Sequence, residues 1–135
     1  MNESNADDAP GAEGSDLKGL RVLLVEDSWH LGVALKELLR AWGADVAGPV
    51  ATTAEAERLI SEYAPDVAVV DINLRGGERA YGLIDRLHDQ RIRVVVTSGY
   101  TDLPPGKAAA ILQKPISEAQ LLASLRPMTE DKAAR

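Results

Sequence analysis

Short runs of continuous apolar residues alternate along this chain with stretches whose apolar positions recur every three or four residues. The runs are Gly19–Val25, Val67–Asp71, Arg93–Val96 and Ala110–Gln113, with a weaker one at Asp45–Gly48. An uninterrupted Val- and Leu-rich run of this length reads as a strand buried on both faces, as in parallel sheets. Pro49 directly after the weak run predicts a strand at a sheet edge, where a missing N–H costs no ladder bond. From Ser28 the period changes: Leu31, Leu35, Leu38, Leu39 and Trp42 form a helical stripe that stops at Gly43. Thr52 and Glu55 have the spacing of a capping box and open a helix lined by Ala56, Leu59, Ile60 and Tyr63. A third helix carries Tyr81, Ile84, Leu87 and His88 on one side, so His88 is expected to pack against that stripe and His30 to lie on the surface. Ser117 and Gln120 cap a last helix, lined by Leu121, Leu122 and Leu125 and expected to end at Pro127.

Strand and helix alternate throughout, which predicts a doubly wound α/β fold: a five-stranded parallel sheet with helices on both faces. Right-handed crossovers give the strand order 2-1-3-4-5, whose switch point lies between the first and third strands. The stretch between the fourth and fifth strands, with Pro104, Pro105 and Gly106, is too short for a full helix, so the fourth helix of such a fold is shortened or missing. Residues 1–17 read as a disordered acidic tail, 18–127 as the domain and 128–135 as a polar tail.

Charge sharpens this division. Of the net −6, five negative charges (Glu3, Asp7, Asp8, Glu13 and Asp16) fall within residues 1–17, which contain no Lys or Arg. The body is nearly neutral and offers no broad basic face for nucleic acid. The 135 residues contain no cysteine, which removes disulfides, thiolate metal sites and cysteine nucleophiles. No apolar run approaches the ~20 residues needed to span a bilayer, and the N-terminus lacks the features of a signal peptide. A cytoplasmic protein that does not engage membranes is expected.

The chemistry sits at strand ends. Glu26 and Asp27 follow the first strand, Asp71 ends the third, Thr97 and Ser98 end the fourth, and Lys114 follows the fifth. In open α/β sheets ligands bind at the carboxyl ends of the strands, beside the switch point. Three carboxylates brought together repel unless a cation joins them, and a small cluster of hard oxygens suits Mg²⁺. A carboxylate nucleophile, a metal, a hydroxyl and a lysine are the parts of a phosphoryl-transfer site. Neighbouring strand residues point to opposite faces, so one of Thr97 and Ser98 is expected to face the phosphate.

Leu23-Leu24-Val25-Glu26-Asp27, Val70-Asp71-Ile72-Asn73-Leu74, Ser98-Gly99-Tyr100 and Leu112-Gln113-Lys114-Pro115 resemble the motifs of response-regulator receiver domains, which are CheY-like and bacterial. The resemblance covers about residues 19–126 and implies a flavodoxin-like fold. It implies that Asp71 accepts a phosphoryl group from a sensor histidine kinase or phosphotransfer protein. Asp27 would ligate Mg²⁺ directly, Glu26 would assist through water, and Asn73 would supply its backbone carbonyl. Ser98, in preference to Thr97, would hydrogen-bond the phosphoryl oxygens, Lys114 would pair with them, and the Lys114–Pro115 bond would be cis. Apart from taking up and slowly losing its phosphoryl group, such a chain is no enzyme. It signals by binding a downstream protein or drains phosphoryl groups from a kinase.

Two features depart from the common receiver pattern: Ile111 replaces an aromatic three residues before Lys114, and the interval from Ser98 to Lys114 is short. Both resemble a group of stand-alone receivers with a Thr-Gly-Tyr-like motif. Ile111 is expected in the core, leaving the Gly99–Lys107 loop and Tyr100 to respond to phosphorylation. The alternatives are a haloacid-dehalogenase-like phosphohydrolase and a receiver-like adaptor that is never phosphorylated. The first needs an acid two residues after its nucleophile, where this chain has Asn73.

Overall fold

A computed structural model describes residues 16–99 and 106–134. Strands β1 (Arg21–Val25), β2 (Asp45–Val50), β3 (Val67–Asp71), β4 (Arg93–Ser98) and β5 (Ala110–Gln113) form one parallel sheet in the order β2-β1-β3-β4-β5. In order of first appearance along the chain this is 2-1-3-4-5, as the alternation predicts. Helices α1 (Trp29–Ala41), α2 (Thr53–Tyr63), α3 (Tyr81–Asp89) and α4 (Glu118–Ala134) cover it.

The apolar runs are buried because the sheet is covered on both faces. Every residue of β3 is buried, and alternate residues enter different cores. Leu24, Val69, Val95 and Leu112 join Leu35, Leu39, Leu121 and Leu125 on the α1–α4 side. Val25, Ala68, Val70, Val94 and Val96 join Ile60, Leu83, Ile84 and Leu87 on the other. Each fully buried Leu or Val contributes about 1.5–3 kcal/mol, so two such layers anchor the central strands firmly.

The edge strand β2 runs two residues further than its apolar run. Gly48 has φ +105°, and a Cβ there would stand 2.4 Å from the Leu24 carbonyl oxygen, so only glycine fits. This bend, next to a cis Gly48–Pro49 bond, coincides with a register shift between Leu23 and Val25. It also brings Pro49 so near Gly32 of α1 that a Cβ on Gly32 would lie 2.9 Å from the ring.

Helix starts follow their capping residues. Ser28 Oγ accepts from the Leu31 N–H, Thr52 Oγ1 from Glu55 and Ser117 Oγ from Gln120. The last helix, however, does not end at Pro127: it continues to Ala134 and buries Met128. Proline inside a helix costs roughly 3 kcal/mol. Met128 burial, the Thr129 hydroxyl on the Leu125 carbonyl and Lys132 bound to the Gly19 carbonyl and Asp66 offset that cost. At the other terminus Leu17, assigned by composition to the tail, is fully buried, and its N–H donates to the Trp42 carbonyl at 2.7 Å.

Two packing expectations fail. His88 is exposed beside Asp89, because Leu83 completes the α3 stripe with Ile84 and Leu87. Ile111 is 43% exposed: it lies on the edge strand β5. No helix links β4 to β5 among the described residues, and most of the Gly99–Lys107 loop, Tyr100 included, lies outside them. No helix among the described residues is long and apolar enough to cross a membrane.

Candidate functional site

The carboxyl ends of β1 and β3 lie side by side, and the acids that follow them meet there. Carboxylate oxygens of Glu26, Asp27 and Asp71 all lie within 4.8 Å of one another. Glu26 and Asp71 are only 4% and 3% exposed, while Asp27 is partly open. The bend in β2 sets Glu26, because the Val50 carbonyl accepts its backbone N–H at 2.9 Å. The Glu26 carboxylate then accepts from the Ser28 N–H at 3.1 Å, just ahead of α1.

Asp71 is held from two sides. Its Oδ1 accepts from the Asn73 N–H at 3.1 Å, and its Oδ2 accepts from Lys114 Nζ at 2.9 Å. Lys114 Nζ also lies 3.7 Å from Glu26. The Lys114 backbone N–H donates to the Ser98 carbonyl at 2.9 Å, and the Lys114–Pro115 bond is cis, as the resemblance implies. The side chains of Glu26, Asp27, Asp71 and Lys114, from the ends of three strands, therefore converge, and the sequence named each of them.

The electrostatics follow from burial. Desolvation pushes Glu26 up to about 7; the Ser28 N–H works against this, the Asp71 charge adds to it and Lys114 opposes it. Burial also works to discharge Lys114. The hydrogen bond that Lys114 donates to Asp71 and the charges of Glu26, Asp71 and Asp27 outweigh it and leave Lys114 above its ordinary value. Three carboxylates against one ammonium make a donor set of hard oxygens with excess negative charge, which fits a divalent cation such as Mg²⁺.

Ser98 and Thr97 are both buried. The ladder sets Thr97, not Ser98, opposite Asp71, and the Thr97 carbonyl accepts the Ile72 N–H at 3.1 Å. Ser98 is one residue nearer the mouth, in register with Gln113.

Glu78 and Arg75, on the loop behind Asp71, carried no sequence signal. Glu78 reaches back from the loop behind Asp71 and accepts from the Thr53 N–H (3.1 Å) and hydroxyl (2.7 Å) at the start of α2. Those two bonds hold its carboxyl below the usual range. Arg75 shares a cleft of about 180 Å³ with Glu26, Asp27, Trp29 and Glu55. Trp29, 71% exposed, stands at its rim.

No family model matches the sequence, and comparison with curated proteins finds no match. Solved structures do resemble it. The signal receiver domain of a modulated diguanylate cyclase from Desulfovibrio desulfuricans G20 is 26% identical with TM-score 0.73, over 84% of this chain and 96% of that one. A CheY-like response-regulator receiver domain from Methylobacillus flagellatus is 26% identical with TM-score 0.72, over 81% and 98%. Another, from Methanospirillum hungatei JF-1, is 22% identical with TM-score 0.74, over 85% and 97%. With its five parallel strands in the same order, the chain has the fold of CheY-like response-regulator receiver domains.

Proposed function

We propose that the chain is the receiver of a phosphorelay in the cytoplasm, accepting a phosphoryl group on Asp71 from a phosphohistidine of a sensor kinase or phosphotransfer protein. The observation that carries this reading is the convergence of Glu26, Asp27 and Asp71 with Lys114 at the switch point of the sheet. A carboxylate oxygen of Asp71 forms the new P–O bond as the P–N bond breaks, and the electron pair returns to the imidazole. Lys114 stands 2.9 Å from that carboxylate, orients it and neutralises charge on the arriving phosphoryl oxygens. Asp27, Asp71 and the Asn73 carbonyl would hold Mg²⁺, with Glu26 acting through water. The cation supplies charge neutralisation on the phosphoryl oxygens. Ser98 donates its hydroxyl to one of them.

A groove of about 690 Å³, lined by Leu31, Ala34, Leu38, Pro115 and Ile116, opens beside Lys114 and gives a partner's helix an apolar seat next to the acceptor. A downstream protein would read the phosphorylated state.

Incubation with an acyl-phosphate donor and Mg²⁺ should add one phosphoryl group to the wild-type chain by intact mass and none to Asp71→Asn. Labelling of Asp71→Asn at the wild-type level rules the assignment out.

A further inference from the structure

Thr97 has a 1% exposed side chain whose hydroxyl has no hydrogen-bond partner. A buried unpaired hydroxyl is destabilising, and a valine of the same shape would avoid the cost. Its place in the sheet suggests what the hydroxyl serves. Asp71, Thr97 and Leu112 lie in one row of the ladder. Side chains alternate along each strand, and Val69, Val95 and Leu112 belong to the core on the α1–α4 side. Asp71 and Thr97, two residues after Val69 and Val95, continue that face. Lys114, two residues after Leu112, lines the α1–α4 groove, so it belongs to the same side.

Strand order then constrains the lysine. Lys114 follows β5, yet its ammonium reaches Asp71 on β3 and approaches Glu26 beyond β1. Because β4 lies between β3 and β5, the side chain must cross the end of β4, where Thr97 sits.

We propose that Thr97 is a positioning residue for Lys114. Its hydroxyl accepts one N–H of the ammonium and holds it over the phosphoryl group as that group passes to Asp71 and in the acyl phosphate that results. In the unphosphorylated chain the ammonium is drawn to the charged Asp71 carboxylate. Phosphorylation converts the carboxylate to an acyl phosphate, removing its charge and placing negative charge further out, on the phosphoryl oxygens. The ammonium follows those oxygens outward, and the threonine oxygen accepts one of its three N–H groups. Ser98 keeps its separate part, nearer the mouth. This inference rests on Asp71 being the acceptor.

The test compares wild type, Thr97→Val, Thr97→Ser, Lys114→Ala and the Lys114→Ala/Thr97→Val double variant. Thermal midpoint and the rate of phosphoryl uptake from an acyl-phosphate donor are measured for each. Thr97→Val should melt above wild type yet take up phosphoryl roughly tenfold more slowly, the scale of a hydrogen bond to a charged group. Thr97→Ser should restore the rate, and the double variant should be no slower than Lys114→Ala, because the threonine acts through the lysine. Wild-type uptake by Thr97→Val, a lower melting point, or a further tenfold loss in the double variant each overturns the inference alone. A wild-type chain that takes up no phosphoryl group overturns the acceptor reading and this inference with it.

Discussion

The two ends of the sheet handle charge in opposite ways. At the carboxyl end Glu26 and Asp71 are buried and, with Asp27, outnumber the one lysine among them. At the amino end, acids and bases pair one to one near the surface. Asp66 accepts from the Arg21 N–H at 2.8 Å and Lys132 at 2.7 Å, Arg93 meets Asp131 at 2.8 Å, and Arg126 meets Asp16 at 3.7 Å. Balanced pairs of this kind, partly open to solvent, add little individually and neutralise each other. The crowded acids leave charge uncompensated, and a site can use that for binding at the cost of stability. One end closes the fold and the other keeps an excess of buried negative charge.

That contrast can be broken most severely at the closed end. A chain ending at Pro127 loses Met128 from the core together with the Asp131 and Lys132 pairs. Unfolding in urea should show a loss of about 4 kcal/mol, mostly from the emptied Met128 site. Phosphoryl uptake by the folded fraction should be unchanged, since the segment lies away from Asp71. A truncated chain as stable as the full one would mean that the last two turns of α4 contribute nothing.

The open end should instead respond to pH. Glu26 is raised to about 7 in the folded, metal-free chain against an ordinary 4.5. Between those values the folded state holds a proton that the unfolded state has released. Stability in chelator must therefore fall as pH rises from about 5 to 8, by up to roughly 3 kcal/mol. Urea midpoints across that range should slope downward for wild type and lie flatter for Glu26→Gln. A wild-type slope of the opposite sign, or one that Glu26→Gln leaves intact, contradicts the picture of a crowded carboxylate.

The smallest effect sharpens the comparison. Lys132→Ala removes the clasp on Gly19 and Asp66, but its side chain is 36% exposed, so solvent screening limits the loss to below about 1 kcal/mol. Its stability loss should shrink in high salt, and phosphoryl uptake should not change. A salt-insensitive loss of several kcal/mol would place this pair with the buried charges of the other end.

Local pattern was a good guide wherever one residue's environment is fixed by its neighbours in sequence. Ser28, Thr52 and Ser117 cap helices because their oxygens reach an N–H three residues on. Val67–Val70 had to be a covered strand because no face of it is polar. Pattern failed where a distant element makes the decision. Pro127 reads as a stop, yet Met128 and Lys132 find partners in the core and at Asp66 that outweigh it. His88 sits at a helical interval from Ile84, but Leu83 already fills the face α3 presents to the sheet. Ile111 looks like core until the sheet order makes β5 an edge.

The sequence by itself determined the five strands, their order and the acids, hydroxyls and lysine at their ends, because alternating apolar runs and helical stripes admit few packings. Only the tertiary structure decided which of these groups touch. It joined Lys114 to Asp71 and near Glu26, seated Glu26 on the Val50 carbonyl through the Gly48 bend, and set Thr97 opposite Asp71. Those relations depend on ladder register and on side chains crossing neighbouring strands. Sequence periodicity fixes which face a residue takes along its own strand, and leaves open which residue it meets on the next.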